Sequence, residues 1–332
     1  MTPNARFTEF LADIEPSPTT KSNASSAHTK LREKLRNDSD FADLHKNTLL
    51  SGSYKRDTAI RPRMKNGEAH RPDIDILVLT THSRHSSPED AVDDVFYVLN
   101  RHYTPTNRQA RSVSVSTKFA DMDVAPIIDP DGDGTYYIPD RNQKEWIRTN
   151  PPGHSQWTTE TNNRAGGRFK PLVKLFKWWR RENPTVGKRP KGYVLEVIAA
   201  NCMNQRETHY GELFVKMLET IVEKYAFEVS LSMVPTIDDP SLPGNNITEG
   251  LSFAAFEGFY NKVKSHAVIG REALSLEDQE KATEKWRILF GDRFPKTPIR
   301  KEASLFDPAP AATGLVFPDR PVRPPNKPAG FA

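Results

Sequence analysis

One short run constrains this chain more than any other part of it. Asp73-Ile74-Asp75-Ile76-Leu77-Val78-Leu79-Thr80 is apolar and β-branched, the pattern of a strand buried on at least one face. Such a strand belongs inside a sheet, and the sheet must be covered. Side chains alternate along a strand, so Asp73 and Asp75 project from the same face, about 7 Å apart at Cα. Two carboxylates so placed repel each other unless a cation lies between them. Mg²⁺, with short oxygen bonds and octahedral demands, suits that pair.

The surroundings of this strand predict an α+β architecture. Ser87-Pro88-Glu89-Asp90 starts a helix: Ser is the N-cap, Pro sits in the first turn, and the acids lie beside the positive end of the dipole. That helix runs to about His102. Arg111–Lys118 alternates strictly and reads as a half-buried strand; Asp123–Ile128 and Thr135–Ile138 read as two more around a Gly-rich turn. Beyond about residue 155 the strand signal fades. Lys170–Arg181 places Leu172, Leu175, Phe176 and Trp179 at i, i+3, i+4 and i+7, a core-facing stripe, and the Trp178-Trp179 pair reads as lobe packing. Lys191–Met203, Gly211–Tyr225, Glu249–His266 and Leu276–Phe290 also have helical texture. The expected organisation is an N-terminal segment and helix over 1–40, a sheet-bearing lobe over 41–150, a helical lobe over 151–295 and a Pro-rich extended tail over 296–332. Within the first segment, residues 1–20 read as loose and 20–37 as a helix.

Composition narrows the class. A mean hydropathy of −0.66, with no apolar run near the ~20 residues of a spanning helix, predicts no membrane role. The N-terminus lacks the basic start and apolar stretch of a secretory signal. Cys202 is the single cysteine, which excludes an internal disulfide framework and any zinc site built on several thiolates. These features predict a soluble, cytoplasmic protein. The net charge of +4 is mild and does not indicate nucleic-acid binding.

Two ions bridged by a carboxylate would stabilise the attacking and leaving oxygens of a phosphoryl transfer. Gly52-Ser53 lies upstream of the paired acids in a turn-like segment; Gly allows close backbone approach to a phosphate, and Ser supplies an N–H and a hydroxyl. A third carboxylate is needed to deprotonate an attacking hydroxyl. Asp123 fits, because the apolar residues after it fix its segment in the sheet; Asp121 is its competitor.

Gly52-Ser53, Asp73-Ile74-Asp75 and Asp123-Val124-Ala125-Pro126 together resemble the active site of the DNA-polymerase-β-like nucleotidyltransferases. GSYKRDTAI, the stretch from Ile138 to His154 containing TNPPGH, LVKLFKWW and DPSLPGNNIT narrow the resemblance to the bacterial CD-NTases. These relatives of cyclic GMP–AMP synthase and oligoadenylate synthetase make cyclic oligonucleotide signals in anti-phage defence. The resemblance spans roughly residues 45–290. It implies a nucleotidyltransferase palm lobe with a mixed sheet plus a C-terminal helical lobe, and condensation of NTPs, ATP or GTP, into a cyclic di- or trinucleotide. It further implies that Asp73 and Asp75 hold two Mg²⁺ ions, that Asp123 ligates the catalytic ion and activates the acceptor hydroxyl, and that Gly52 and Ser53 grip the donor triphosphate. Lys177 matches a lysine that contacts the triphosphate; on a helical wheel it lies off the apolar stripe, free to face a cleft. Tyr193 matches a position whose ring stacks on the donor base. Gly192 stands where relatives often carry a phosphate-contacting Ser, and Asp57 replaces a common Gly and receives no role.

Other signals are weighed against this reading. Asp129–Asp140 imitates an EF-hand loop, but Pro126, Pro130 and Pro139 forbid the flanking helices, so it reads as a hairpin turn. His82 and His85 read as surface residues. The Pro-rich stretch Phe306–Ala332 would be extended. The resemblance to CD-NTases implies that such a terminus can be conjugated by an E1/E2-like partner, and that a downstream effector binds the cyclic product. The rival functions are a linear oligonucleotide synthetase, a tRNA- or protein-modifying nucleotidyltransferase, and a non-enzymatic nucleic-acid-binding scaffold.

Overall fold

In the computed structural model the described residues are 2–65, 68–70, 73–104 and 106–297. The chain opens on a helix, α1 (Asn4–Ile14), where a loose segment was expected. Phe7, Phe10, Leu11 and Ile14 recur at i, i+3, i+4 and i+7, and all four are buried. Pro3 occupies the N-cap, and Pro16 follows the C-cap residue Glu15, so neither interrupts the helix. In α2 (Pro18–Asn37), Ser17 caps the N-terminus by accepting from the Thr20 N–H at 3.1 Å.

The palm follows: β1 (His45–Leu50), the short helix α3 (Gly52–Lys55), the hairpin β2 (Arg63–Lys65) and β3 (Glu68–His70), β4 (Ile74–Thr80) and α4 (Pro88–His102). Then come β5 (Thr106–Arg108), β6 (Val113–Ser116), β7 (Asp121–Ile127), β8 (Tyr136–Asp140) and β9 (Glu145–Thr149). Five of these strands form one mixed sheet in the order β1-β4-β7-β6-β5, with β4 and β7 parallel at its centre and the other neighbours antiparallel. Even-numbered residues of β4 and β7 (Ile74, Ile76, Val78, Met122, Val124) enter a core with Val92, Val95 and Leu99 of α4 and Leu31 and Leu35 of α2. The odd-numbered Leu77, Ala125 and Ile127 face the β8–β9 side, packing with Tyr136 and Ile138. Since strand periodicity is 2, the odd-numbered acids share that second face. His82, expected at the surface, is tucked in: Nδ1 lies 2.9 Å from Thr80 Oγ1 and Nε2 3.0 Å from Asp94 Oδ2.

The helical part comprises α5 (Pro151–Arg164), α6 (Phe169–Glu182), a 3₁₀ turn at Val186–Lys188, α7 (Gly192–Cys202), α8 (Tyr210–Lys224), α9 (Ala226–Ser230), α10 (Phe253–Ser275) and α11 (Gln279–Phe290). α1 belongs to this core: Phe10 meets Trp178, Phe290 and Phe294 at ring-centroid distances of 6.0, 5.1 and 5.3 Å. The Trp178-Trp179 pair is buried in the same cluster, as the lobe-packing reading expects. The residues divide into a unit Met1–Lys296 and a second, Thr297–Ala332. Of the latter only Thr297 is described, so the expected tail from residue 298 onward lies outside the described residues.

Candidate active site

The parallel pairing of β4 with β7 sets Asp75 directly beside Asp123, with Ile74 beside Met122. The register then brings Asp73 and Asp121, each two residues earlier, to the same end and face. Burial raises the proton affinity of Asp73, and Asp121 raises it further. Asp75 is also pushed up, first by burial and then by Asp73, against the opposing pull of Arg56 and Lys177. Asp123 is raised to about 6 by burial and by the charges of Asp73 and Asp75. Asp121, weighed as the competitor of Asp123, thus faces Asp73, and Asp123 faces Asp75.

Gly52 closes the site from the β1 side. The Ser51 N–H donates to the Asp75 carbonyl at 2.8 Å, and the Ser53 N–H bonds the Asp75 carboxylate. Gly52 has φ of +65°, and a Cβ built on it would lie 1.6 Å from Asp75 Oδ2. Only glycine permits this approach. A cavity of about 240 Å³ opens here, lined by Gly52, Asp75 and Asp123 from the palm and by Ile138, Thr149 and His154 from β8, β9 and α5.

The donor set fits a hard divalent cation. Asp73, Asp75 and Asp123 offer oxygens only, and the mutual repulsion that helps raise the proton affinity of Asp75 and Asp123 is what a cation would relieve. Gln109 Nε2 donates to Asp123 Oδ1 at 3.0 Å, partly meeting that demand. Among the described residues, no three His, Cys, Asp or Glu side chains are drawn together closely enough to hold an ion as they stand.

Lys177 departs from expectation. It is not open to a cleft but buried, with Nζ 2.7 Å from Glu196 Oε1 and 3.0 Å from Thr58 Oγ1. Glu196, wholly buried on α7, also takes Arg56 Nε at 3.0 Å, Arg56 Nη2 at 3.1 Å and the Thr58 hydroxyl at 2.9 Å. Burial alone would raise the Glu196 carboxyl; Lys177 and Arg56 overcome it and hold it at about 2. The helical wheel misleads because α6 is enclosed nearly all round: Lys174, Lys177 and Trp178 are buried alongside the apolar stripe.

Tyr193, half-buried on α7, is pinned by its hydroxyl, which donates to Asp239 Oδ1 at 3.0 Å. Its ring lies 4.5 Å from the His154 ring and 5.2 Å from the Arg56 guanidinium. A side chain at Gly192 would have met Lys177 Cε at 3.5 Å, so the glycine there packs against the lysine. Asp57, unassigned from the sequence, has φ of +54°, which explains why a glycine also suits that position; it pairs with Lys174 at 3.3 Å.

Sequence reasoning passed over four residues that this geometry makes prominent: Arg56, Glu196, His154 and Asp239. Glu196 carried a signal, being a lone acid in the apolar run Tyr193-Val194-Leu195-Glu196-Val197-Ile198. His154 and Asp239 lay inside quoted motifs but received no role.

Comparison with known proteins accords with this architecture. The model of the Second Messenger Oligonucleotide or Dinucleotide Synthetase domain matches residues 1–162. The chain is 47% identical over 339 residues to a cyclic AMP-AMP-AMP synthase of an Acinetobacter species, covering 100% of this chain and 98% of the relative. It is 28% identical over 352 residues to a cyclic AMP-AMP-GMP synthase of Enterobacter hormaechei, covering 87% of this chain and 91% of the relative. The fold matches Bradyrhizobium diazoefficiens CdnG in complex with GTP at a TM-score of 0.73, with 16% identity, over 87% of this chain and 95% of that one. It matches Escherichia coli MS115-1 CdnC with ATP at 0.69, with 17% identity, over 88% and 98%. Identity of 47% across the full length leaves no room for a different lineage, and the chain belongs to the bacterial CD-NTase family of cyclic-oligonucleotide synthases.

Proposed function

We propose that this protein condenses NTPs, ATP among them, into a cyclic trinucleotide, with pyrophosphate released at each step. The single observation that carries the chemistry is the pairing of Asp75 with Asp123 on adjacent parallel strands, beside the tight Gly52 turn. The trinucleotide product is favoured by the full-length likeness to a cyclic AMP-AMP-AMP synthase.

In this reading Gly52 and Ser53 present the donor triphosphate to the acids through backbone and hydroxyl contacts. Asp123, set beside Asp75 by the strand register, takes the proton of the attacking ribose hydroxyl as its oxygen bonds the α-phosphorus and the bond to pyrophosphate breaks. Asp73, Asp75 and Asp123 would hold two Mg²⁺ ions, whose chemistry when bound is neutralisation of the charge that develops on the phosphate oxygens. Lys177 contributes from behind Asp75: it and Arg56 offset that carboxylate's charge and hold the Thr58 segment. The Tyr193 ring, fixed at its hydroxyl, offers a flat surface to a base. Acceleration comes mainly from positioning and preorganised charge. An effector of phage defence that reads the product, and an E1/E2-like partner acting on the C-terminal stretch, complete the proposal.

Incubation of the purified chain with labelled ATP, GTP, CTP and UTP plus Mg²⁺, followed by phosphatase, tests it. A phosphatase-resistant product with the mass of a cyclic trinucleotide is expected. Phosphatase-sensitive oligomers would identify a linear synthetase instead, and absence of product would refute the reading.

A further inference from the structure

His154 lies in the wall of the catalytic cavity, yet nothing in the chemistry above uses it. Its placement is heavily determined. Asn150 caps α5 by accepting from the Gly153 N–H at 3.0 Å and donates to the Ser241 carbonyl at 2.7 Å, tying the helix start to the 238–248 loop. From that loop the buried Asp239 carboxylate reaches His154 Nε2 at 2.9 Å. The same carboxylate accepts from the Tyr193 hydroxyl at 3.0 Å, and from the Ser241 N–H and hydroxyl at 2.9 Å each. Burial would raise Asp239, but the hydrogen bonds from His154 and Ser241 draw it down.

An ionised carboxylate only accepts, so the ring hydrogen on this edge belongs to Nε2. The other nitrogen, Nδ1, has no hydrogen-bond partner among the described residues. In neutral imidazole it is an acceptor. We propose that His154, oriented by Asp239, is a specificity-determining residue whose Nδ1 accepts from the exocyclic amine of a bound adenine. The inference rests on the synthase reading above and extends it to base choice.

Two features favour a base over a phosphate at this position. The Asp239 charge, 2.9 Å behind the ring, opposes a polyanion in front of it. The neighbours Ile138, Pro151 and Tyr193 offer apolar and aromatic surface suited to a flat heterocycle. Guanine presents an acceptor, O6, where adenine presents its amine, so an acceptor at Nδ1 selects between them.

The unaltered full-length protein supplies the first test. kcat/KM for ATP should exceed that for purine riboside 5′-triphosphate, which lacks only the amine, by about tenfold, the worth of one hydrogen bond in a dry site. In His154→Ala that ratio should fall towards one through loss on ATP alone. His154→Asn, whose amide oxygen can take the place of Nδ1, should restore part of it. A ratio near one in the unaltered protein overturns the proposal, whether or not the variants fold. So does a ratio that His154→Ala leaves unchanged, or an equal loss on both nucleotides, which would mark a phosphate contact. Absence of product from every NTP would refute the synthase reading instead; equilibrium binding of the two nucleotides would still decide the base contact.

Discussion

Neutralising Glu196 is the sharpest test of how this molecule holds its two parts together. The carboxylate is fully buried and takes four hydrogen bonds, from Arg56, Thr58 and Lys177. Its proton affinity is held at about 2, against 4.5 for an ordinary glutamate. At 1.36 kcal/mol per pH unit that difference is worth about 3 kcal/mol at neutral pH. Breaking a buried pair by removing one partner typically costs about 3–5 kcal/mol, which agrees. Glu196→Gln keeps the volume and one acceptor, so the lower end applies: a loss of about 3 kcal/mol from a total of ~5–15. Urea unfolding at pH 7.5 measures it. The sign with pH follows from the depressed value: this contribution is present in full above 4.5 and is lost as pH falls towards 2. The gap between wild type and Glu196→Gln should therefore close over that window. Lys177→Met combined with Glu196→Gln should cost less than the two single changes added, because Arg56 then faces Asp75 without a second buried cation. A Glu196→Gln loss below 1 kcal/mol at pH 7.5, or a gap that does not close in acid, would refute the reasoning.

Asp73→Asn, Asp75→Asn and Asp123→Asn should each reduce product formation by more than a hundredfold; turnover within tenfold of wild type in any of them removes that residue from the site. In metal-free buffer at pH 7.5, Asp123→Asn should raise the melting temperature, and by more than Asp75→Asn does, because the charged neighbours of Asp123 both repel it while Arg56 and Lys177 attract Asp75. The carboxyl of Asp123, raised to about 6 from 3.8, contributes stability that is complete below 3.8 and is lost as pH rises through 6, so calorimetry should show the advantage of Asp123→Asn vanishing in acid. Millimolar Mg²⁺ should raise the melting temperature of the wild type and leave that of Asp75→Asn nearly unmoved. Gly52→Ala must force its methyl group onto Asp75 Oδ2 and hold a left-handed φ that costs about 1–2 kcal/mol; loss of synthesis with a lowered melting temperature is expected, and an active, unshifted variant would contradict it.

The face that carries the acids was legible because strand alternation is a local rule. Asp73, Asp75 and Asp123 sit at odd positions, and whatever buries Ile74, Ile76 and Val124 must turn the acids the other way. Register is not local. That Asp75 lies against Asp123, with Asp121 left beside Asp73, depends on how far β7 slides along β4, which no spacing within either strand records. α1 failed for a different reason. Its Phe7, Phe10, Leu11 and Ile14 stripe was readable, but prolines at both ends drew a loose reading, although those positions are where a helix tolerates them.

Lys177 shows where pattern reasoning stops in physical terms. A wheel sorts a helix into a covered and an open side, and for α6 there is no open side of that kind: α1, α5, α7, α8 and α11 all contact it. A lysine inside such a helix needs an anion, and the anion must come from elsewhere in the chain. Glu196 supplies it from α7, and Arg56 joins from the segment that carries the Gly52 turn. Two cations against one carboxylate leave one positive charge over, and the other acid acting on both cations is Asp75. Counting all four groups, the cluster is neutral. The Asp75 carboxylate is therefore part of the charge balance that binds α6 and α7 to the palm. A cation placed on Asp75 would release that balance towards net positive, the sign that attracts a polyanion.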